Sequence, residues 1–273
     1  VSGAFLEEMA AASTARLHAA RALRAEAQME RLASACAPAP ALRLHASGFD
    51  LIAELKLRSP AAGALRGSDE DVAERVGAYA RGGAAAVSVL TEPSRFDGEL
   101  EHLERAAQAL VPLTVPAMRK DFLVDPYQVM EARLAGAGGV LVILRMLSPG
   151  QVDALLACAR GLGMFVLLEA FDARDIEQMH ALVQAHASRM QLLAGINCRD
   201  LQTLQVVPPR LLELLPLLPP QVPRVAESGV ASAEDARSIA AAGYEMALIG
   251  SALMRGGDPR ALVQSLLDAG RGA

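Results

Sequence analysis

The chain has 273 residues, 52% of them hydrophobic but only 3% aromatic, with a formal net charge of −5 at pH 7. The apolar content comes from Ala, Leu and Val, the usual filling of buried parallel strands and their covering helices, and an acidic balance with no basic stripe argues against nucleic acid as a partner. No run reaches the eighteen or so apolar residues of a membrane span, so no membrane is expected either.

Residues 4–35 have helical composition, with Leu6, Met9, Leu17, Leu23 and Met29 among charged and small residues, and Ala37-Pro-Ala-Pro40 stops the run. The arginines here, mixed with acids, read as a solvated helical face. The opening residues lack the basic start and long apolar core of a secretion signal, and Cys36, Cys158 and Cys198 are widely spaced and odd in number, which suits a reducing, cytoplasmic setting.

From residue 51 onward, short apolar runs alternate with longer amphipathic stretches. Strands are predicted at 51–56, 85–90, 115–119, 139–145, 164–169, 192–196, 223–227 and 245–249. Helices follow each at 69–81, 99–110, 126–136, 149–161, 173–186, 208–215, 232–241 and 259–269. Several open on capping signals such as Ser68-Asp-Glu70, Asp125-Pro126 and Ser148-Pro149. Eight such cycles predict an α/β fold, a (β/α)8 TIM barrel with an N-terminal helical extension, residues 1–47 forming the extension and 48–273 the barrel of one domain. A doubly wound open sheet is the alternative.

The first strand carries Glu54 and Lys56 two residues apart, so both point to one face. On an inner face that pair has left water, which costs several kcal/mol unless the two charges meet. Other strand ends are polar too: Arg119-Lys120-Asp121, Glu169, Asn197-Cys-Arg199, Glu227-Ser228-Gly229 and Gly250-Ser251. Each alone is explained by a strand running into a polar loop. In a barrel, however, all converge on the mouth where such enzymes do their chemistry. The turns after the last two strands, Glu227-Ser228-Gly229 and Ile249-Gly250-Ser251, suit a phosphate: glycine allows close backbone approach, and the start of a short helix at Ala252-Leu-Met254 presents N–H groups. His180 and His186, six residues apart, do not share a helix face as a metal pair would, and no metal-binding pattern appears.

The set Ile52-Ala-Glu-Leu-Lys56 with Ser59-Pro60, Ser88-Val-Leu-Thr-Glu92 with Phe96 and Gly98, Arg119-Lys-Asp-Phe122, Gly195-Ile-Asn197 with Arg199-Asp-Leu201, Ala226-Glu-Ser-Gly229 and Ile249-Gly-Ser251 resembles the indole-3-glycerol-phosphate synthase family. The motifs run in the family's order over about residues 48–270. The resemblance implies a decarboxylating, dehydrating ring closure of 1-(2-carboxyphenylamino)-1-deoxyribulose 5-phosphate in tryptophan biosynthesis, with no cofactor and no metal. It implies Glu54, Lys56, Lys120, Glu169 and Asn197 as catalytic residues: Lys120 as the acid of ring closure, Glu169 as base, Lys56 as the acid of dehydration or a substitute for Lys120, Glu54 as their orienting charge and Asn197 as a partner for substrate hydroxyls. Substrate binding falls to Ser59, Pro60, Arg199, Glu227, Ser228, Gly229, Ile249, Gly250 and Ser251, with Phe96, Phe122, Leu141 and Leu201 walling the aromatic ring.

The chain departs from the family pattern at Ala61-Ala62-Gly63, where Ser-Lys-Gly is more frequent, at Glu169-Ala-Phe171, and at Cys198, whose replacement by Ser is expected to be nearly silent. The partner expected is a small phosphorylated molecule, with the chain a monomer or weak homo-oligomer. A sugar-phosphate isomerase would instead need a carboxylate paired with a thiol or second carboxylate. A non-catalytic relative commonly lacks one catalytic group, and none is missing here.

Overall fold

Eight parallel strands close on themselves in the computed structural model, which describes residues 3–46, 48–61, 63–67, 70–201, 203–255 and 257–273. They are β1 (Asp50–Leu55), β2 (Ala86–Leu90), β3 (Ala117–Lys120), β4 (Gly139–Ile143), β5 (Phe165–Ala170), β6 (Leu192–Asn197), β7 (Arg224–Glu227) and β8 (Met246–Ile249). Each pairs with the next, and β8 returns to β1 with Asp50 opposite Met246 and Ala53 opposite Ile249. The expected barrel is therefore the fold, and a helix follows every strand.

Strand parity divides the core in two. Leu51, Ala53 and Leu55 of β1 face outward into the large cluster shared with the helices. Ile52 faces inward with Met118, Leu141, Leu167, Leu193, Val225 and Leu248, which fill the barrel. The same parity carries Glu54, Lys120, Glu169, Asn197 and Glu227 to the inside, one layer above that filling. Six- and four-residue strands buried on both faces have no polar side, so their polar residues mark the ends.

The N-terminal extension differs from the single helix expected over 4–35. It forms α1 (Gly3–Leu23) and α2 (Glu26–Ala35), with Ala25 extended between them. Nothing in Leu23-Arg-Ala-Glu26 marks a break; the cause is tertiary. The Tyr127 hydroxyl donates to Ala20 O and Arg24 O at 3.1 and 2.8 Å, satisfying carbonyls at the end of α1. Beneath the barrel, Leu42 is buried in the interior cluster and accepts from Gln191 just before β6. The extension thus touches both ends of the barrel.

Boundaries shift by one to three residues elsewhere. The third helix runs Val72–Arg81 rather than 69–81, capped by Asp71, whose carboxylate accepts from the amides of Ala73 and Glu74. The proposed cap Ser68 and the first expected helical residue Asp69 lie outside the described residues, as does Ala62 of the divergent loop. The fourth strand stops at Ile143, because Leu144–Met146 winds into a 3-10 turn. Among the described residues, no helix is long and apolar enough to cross a membrane, and no group of three His, Cys, Asp or Glu could hold a metal ion.

Candidate active site

A cavity of about 550 Å³ opens at the C-terminal ends of the strands, inside the usual range for a small-molecule site. All five expected catalytic residues and all thirteen expected binding residues line it. They are brought together from every loop that was expected to contribute.

Two charged groups occupy its floor. In the first, Lys56 Nζ lies 2.5 Å from Glu54 Oε1, with Glu54 only 1% exposed. In the second, Lys120 Nζ meets Glu169 Oε2 at 3.1 Å and Glu227 Oε2 at 3.5 Å. From there a chain of polar contacts runs around the rim. Asn197 Nδ2 donates to Glu169 Oε1 at 3.3 Å, and Asn197 Oδ1 accepts from Ser228 Oγ and from the Arg199 amide, both at 3.0 Å. Arg199 itself donates through Nη1 to Leu204 O at 2.6 Å.

Burial pulls the Lys120 ammonium down, but the carboxylates of Glu169, Glu227 and Glu54 together outweigh it and hold the group above the ordinary lysine value. Lys120 therefore waits in its protonated form. Burial pushes the Glu227 carboxyl well above the usual range, and Glu169 adds to that through its like charge, while Lys120 opposes both.

Lys120 is aimed inward by its neighbours. Arg119 points away from the mouth, as strand alternation requires, and donates to Thr91 Oγ1, Gln128 O and Asp121 Oδ2. Asp121 is 2% exposed and also accepts from Thr91 Oγ1, the Phe122 amide and Arg16 Nη2. Burial alone would raise its carboxyl; Arg119 and Arg16, with those two hydrogen bonds, outweigh it and hold it below the ordinary value.

The apolar half of the cavity is built from Phe96, Phe122, Leu141 and Leu201. Phe96 and Phe122 stand 6.2 Å apart. Phe96 ends a one-turn helix, Pro93–Phe96, whose start is capped by the buried Glu92 through the amides of Ser94 and Arg95. That capping is what Glu92 does in its motif.

The sequence did not reveal the roof. Phe5 and Leu6 of α1 line the same cavity, and the Phe5 ring meets Phe122 edge-on at 5.9 Å. Arg16, expected on a solvated face, instead bonds Asp121 at 2.7 Å and lies 3.5 Å from Glu92, while Arg21 reaches Asp125 at 2.9 Å. Arg255, at the end of the short helix Ser251–Arg255, and Phe171 also line the cavity unforeseen.

At the opposite side, Ser228 and Gly229 take positive φ of 67° and 79°, a turn that lets the backbone double back. Gly250 precedes the short helix opened by Ser251. These are the two turns expected to receive a phosphate.

A closed barrel with acid and base groups on its floor, an apolar bed on one side and glycine-serine turns on the other defines a (β/α)8 enzyme acting on a small phosphorylated molecule. A family model described as indole-3-glycerol phosphate synthase matches residues 6–266, and the chain belongs to that family. An indole-3-glycerol phosphate synthase of Mycolicibacterium vanbaalenii is 42% identical over 237 residues, covering 86% of this chain and 83% of that one. Indole-3-glycerol phosphate synthase 2 of Streptomyces coelicolor is 41% identical over 249 residues, covering 90% and 92%.

Solved structures share the fold at low identity. Thiamine phosphate pyrophosphorylase from Pyrococcus furiosus superposes with a TM-score of 0.57 at 15% identity, over 82% of this chain and 96% of that one. The 3-hexulose-6-phosphate synthase of Salmonella typhimurium does so at 0.58 and 13%, over 81% and 98%.

Proposed function

We propose that the barrel mouth closes the indole ring of 1-(2-carboxyphenylamino)-1-deoxyribulose 5-phosphate, with Lys120 as the acid of the first step and Glu169 as the base of the last. The observation that carries this reading is the single contact group formed by Lys120, Glu169, Glu227 and Asn197 between an aromatic bed and two glycine-serine turns.

The substrate phosphate sits at Ser228-Gly229 and Gly250-Ser251, and its aryl ring lies against Phe96, Phe122, Leu141 and Leu201. That leaves the ketone above Lys120. As the ring carbon bearing the carboxylate attacks the ketone carbon, the carbonyl oxygen becomes alkoxide-like and takes a proton from the ammonium. Such an oxygen is far more basic than any lysine, so a raised value does not prevent transfer; it keeps the proton loaded. Carbon dioxide then leaves, and its bonding electrons restore the aromatic ring.

The hydroxyl departs as water with a proton from Lys56, held beside it by Glu54, while Glu169 takes the proton from the adjacent ring carbon. Asn197 fixes Glu169 Oε1 and leaves Oε2 to Lys120, so one carboxylate is oriented from both sides. Ser59 and Pro60 close the pocket beside Lys56, and Arg199 offers its guanidinium near the departing carboxylate.

Fluorescence of the indole product tests the reading directly, because the chain contains no Trp. Turnover by the wild-type chain is expected; an inert chain that also fails to bind the reduced substrate would overturn it.

A further inference from the structure

Two glycines on the inner wall hold no side chain where a carboxylate lies. A Cβ built on Gly195 of β6 would overlap Glu227 Oε1, standing 3.2 Å from its carboxyl carbon and 3.0 Å from Leu167 Cδ1. A Cβ on Gly250, after β8, would overlap Glu54 Oε1 and stand 2.9 Å from Lys56 Nζ. Neither glycine has the positive φ that would call for glycine on backbone grounds. Strand register explains the repetition. Asn197 pairs with Glu227, two residues past Gly195, and Ala53 pairs with Ile249, one residue before Glu54 and Gly250. In each case a carboxylate from one strand folds over the glycine of its neighbour.

We propose that Gly195 is a positioning residue: the space left by its missing side chain is the seat of the Glu227 carboxyl, and that seat brings Glu227 and Glu169 together on Lys120. The Leu167 methyl can rotate aside to admit a larger residue, because it ends a flexible side chain. The Glu227 carboxyl has no such freedom. It is 1% exposed, Oε2 is held by Lys120, and Oε1 has no hydrogen-bond partner among the described residues. Oε1 rests against the glycine because the glycine leaves room, not because a donor holds it there. A methyl group at position 195 would push the carboxyl off Lys120 and leave Glu169 as the ammonium's one close acceptor among the described residues.

The inference rests on the reading of Lys120 and Glu169 as acid and base, but its test separates the two. Gly195→Ala, Glu227→Ala and the double variant are compared in the full chain with wild type. Gly195→Ala is expected to lower kcat at least about tenfold while KM stays within about threefold, the pattern of a disturbed reacting centre. With carboxyl-¹³C glutamate, the resonance lost in Glu227→Gln should titrate above the usual range in wild type and at a changed pH in Gly195→Ala, because the carboxyl then loses both its cation Lys120 and its like-charged neighbour Glu169. That resonance needs no turnover. A wild-type chain inert toward the proposed substrate, but with the resonance shifting in this way, would sink the activity and keep the seat.

The thermal cost of Gly195→Ala should largely vanish in the Glu227→Ala background, since the obstacle is then gone. If Gly195→Ala does not fold, the double variant decides: it folds when the carboxyl is the obstacle. A resonance and kcat left unchanged by Gly195→Ala, strictly additive stability losses, or a double variant that also fails to fold would overturn the proposal.

Discussion

Lys120→Ala tests the floor of the site through two independent readings. Removing the ammonium removes the only cation among the described residues within 3.5 Å of Glu169 and Glu227, which are 2% and 1% exposed. Loss of a positioned acid lowers kcat between about a hundredfold and ten-thousandfold. Stability should fall as well, since breaking a buried charge pair by deleting one partner costs about 3–5 kcal/mol, or roughly 6–20 °C in Tm. That cost depends on pH with a definite sign. Glu227 already has a raised carboxyl that Lys120 pulls down. Without Lys120 it rises further, so its stability contribution is intact below an ordinary glutamate value of about 4.3 and is lost as pH climbs through the folded value. The Tm gap between wild type and variant therefore widens from pH 5 to pH 8. Product fluorescence reads the first effect and thermal melts at several pH values the second. Turnover within tenfold of wild type, or a Tm gap that is flat across this range, would refute the reasoning.

Phe5→Ala removes the roof ring that meets Phe122 at 5.9 Å. One edge-on aromatic contact is worth about 0.5–1.5 kcal/mol, so KM should rise about 2- to 12-fold with kcat little changed; an unchanged KM would mean the roof does not touch substrate. Arg16→Gln breaks the tie from α1 to Asp121 and Glu92. Because Asp121 is held low, its contribution is present above 3.8 and fades as pH falls below it; the stability gap between wild type and Arg16→Gln should therefore shrink on acidification, and an equal gap at pH 3 and pH 7 would contradict the clamp. Cys198→Ser should leave kcat and KM unchanged, but Cys198 is fully buried in the outer apolar cluster, so the hydroxyl should cost about 1–3 kcal/mol of stability, which melts and steady-state kinetics separate.

The strands were legible because they are short apolar runs buried on both faces, with charged residues such as Glu54, Lys120, Glu169 and Glu227 gathered at or next to their C-terminal ends. The site was legible because barrel topology gathers those ends. The roof was not: Phe5 and Leu6 look like the first turn of any amphipathic helix, and Arg16 looks like surface charge until Asp121, 105 residues later, is placed beside it. The break between α1 and α2 was hidden for the same reason, since Tyr127 rather than a proline or glycine makes it. Gly195 was visible only as a motif letter and Gly250 only as part of a phosphate turn; what occupies the space above them depends on the neighbouring strand.

The distance in sequence between Arg16 and Asp121 also sets an order of events during synthesis. At about 5–20 residues per second, α1 leaves the ribosome on the order of 5–20 s before its docking partner exists. Leu6, Met9 and Leu17, all buried in the finished protein, must spend that interval without a surface to cover. Helix α1 is therefore made well before it can be laid down, and a chain stalled before β3 would carry an exposed apolar helix fit for a chaperone rather than for a substrate.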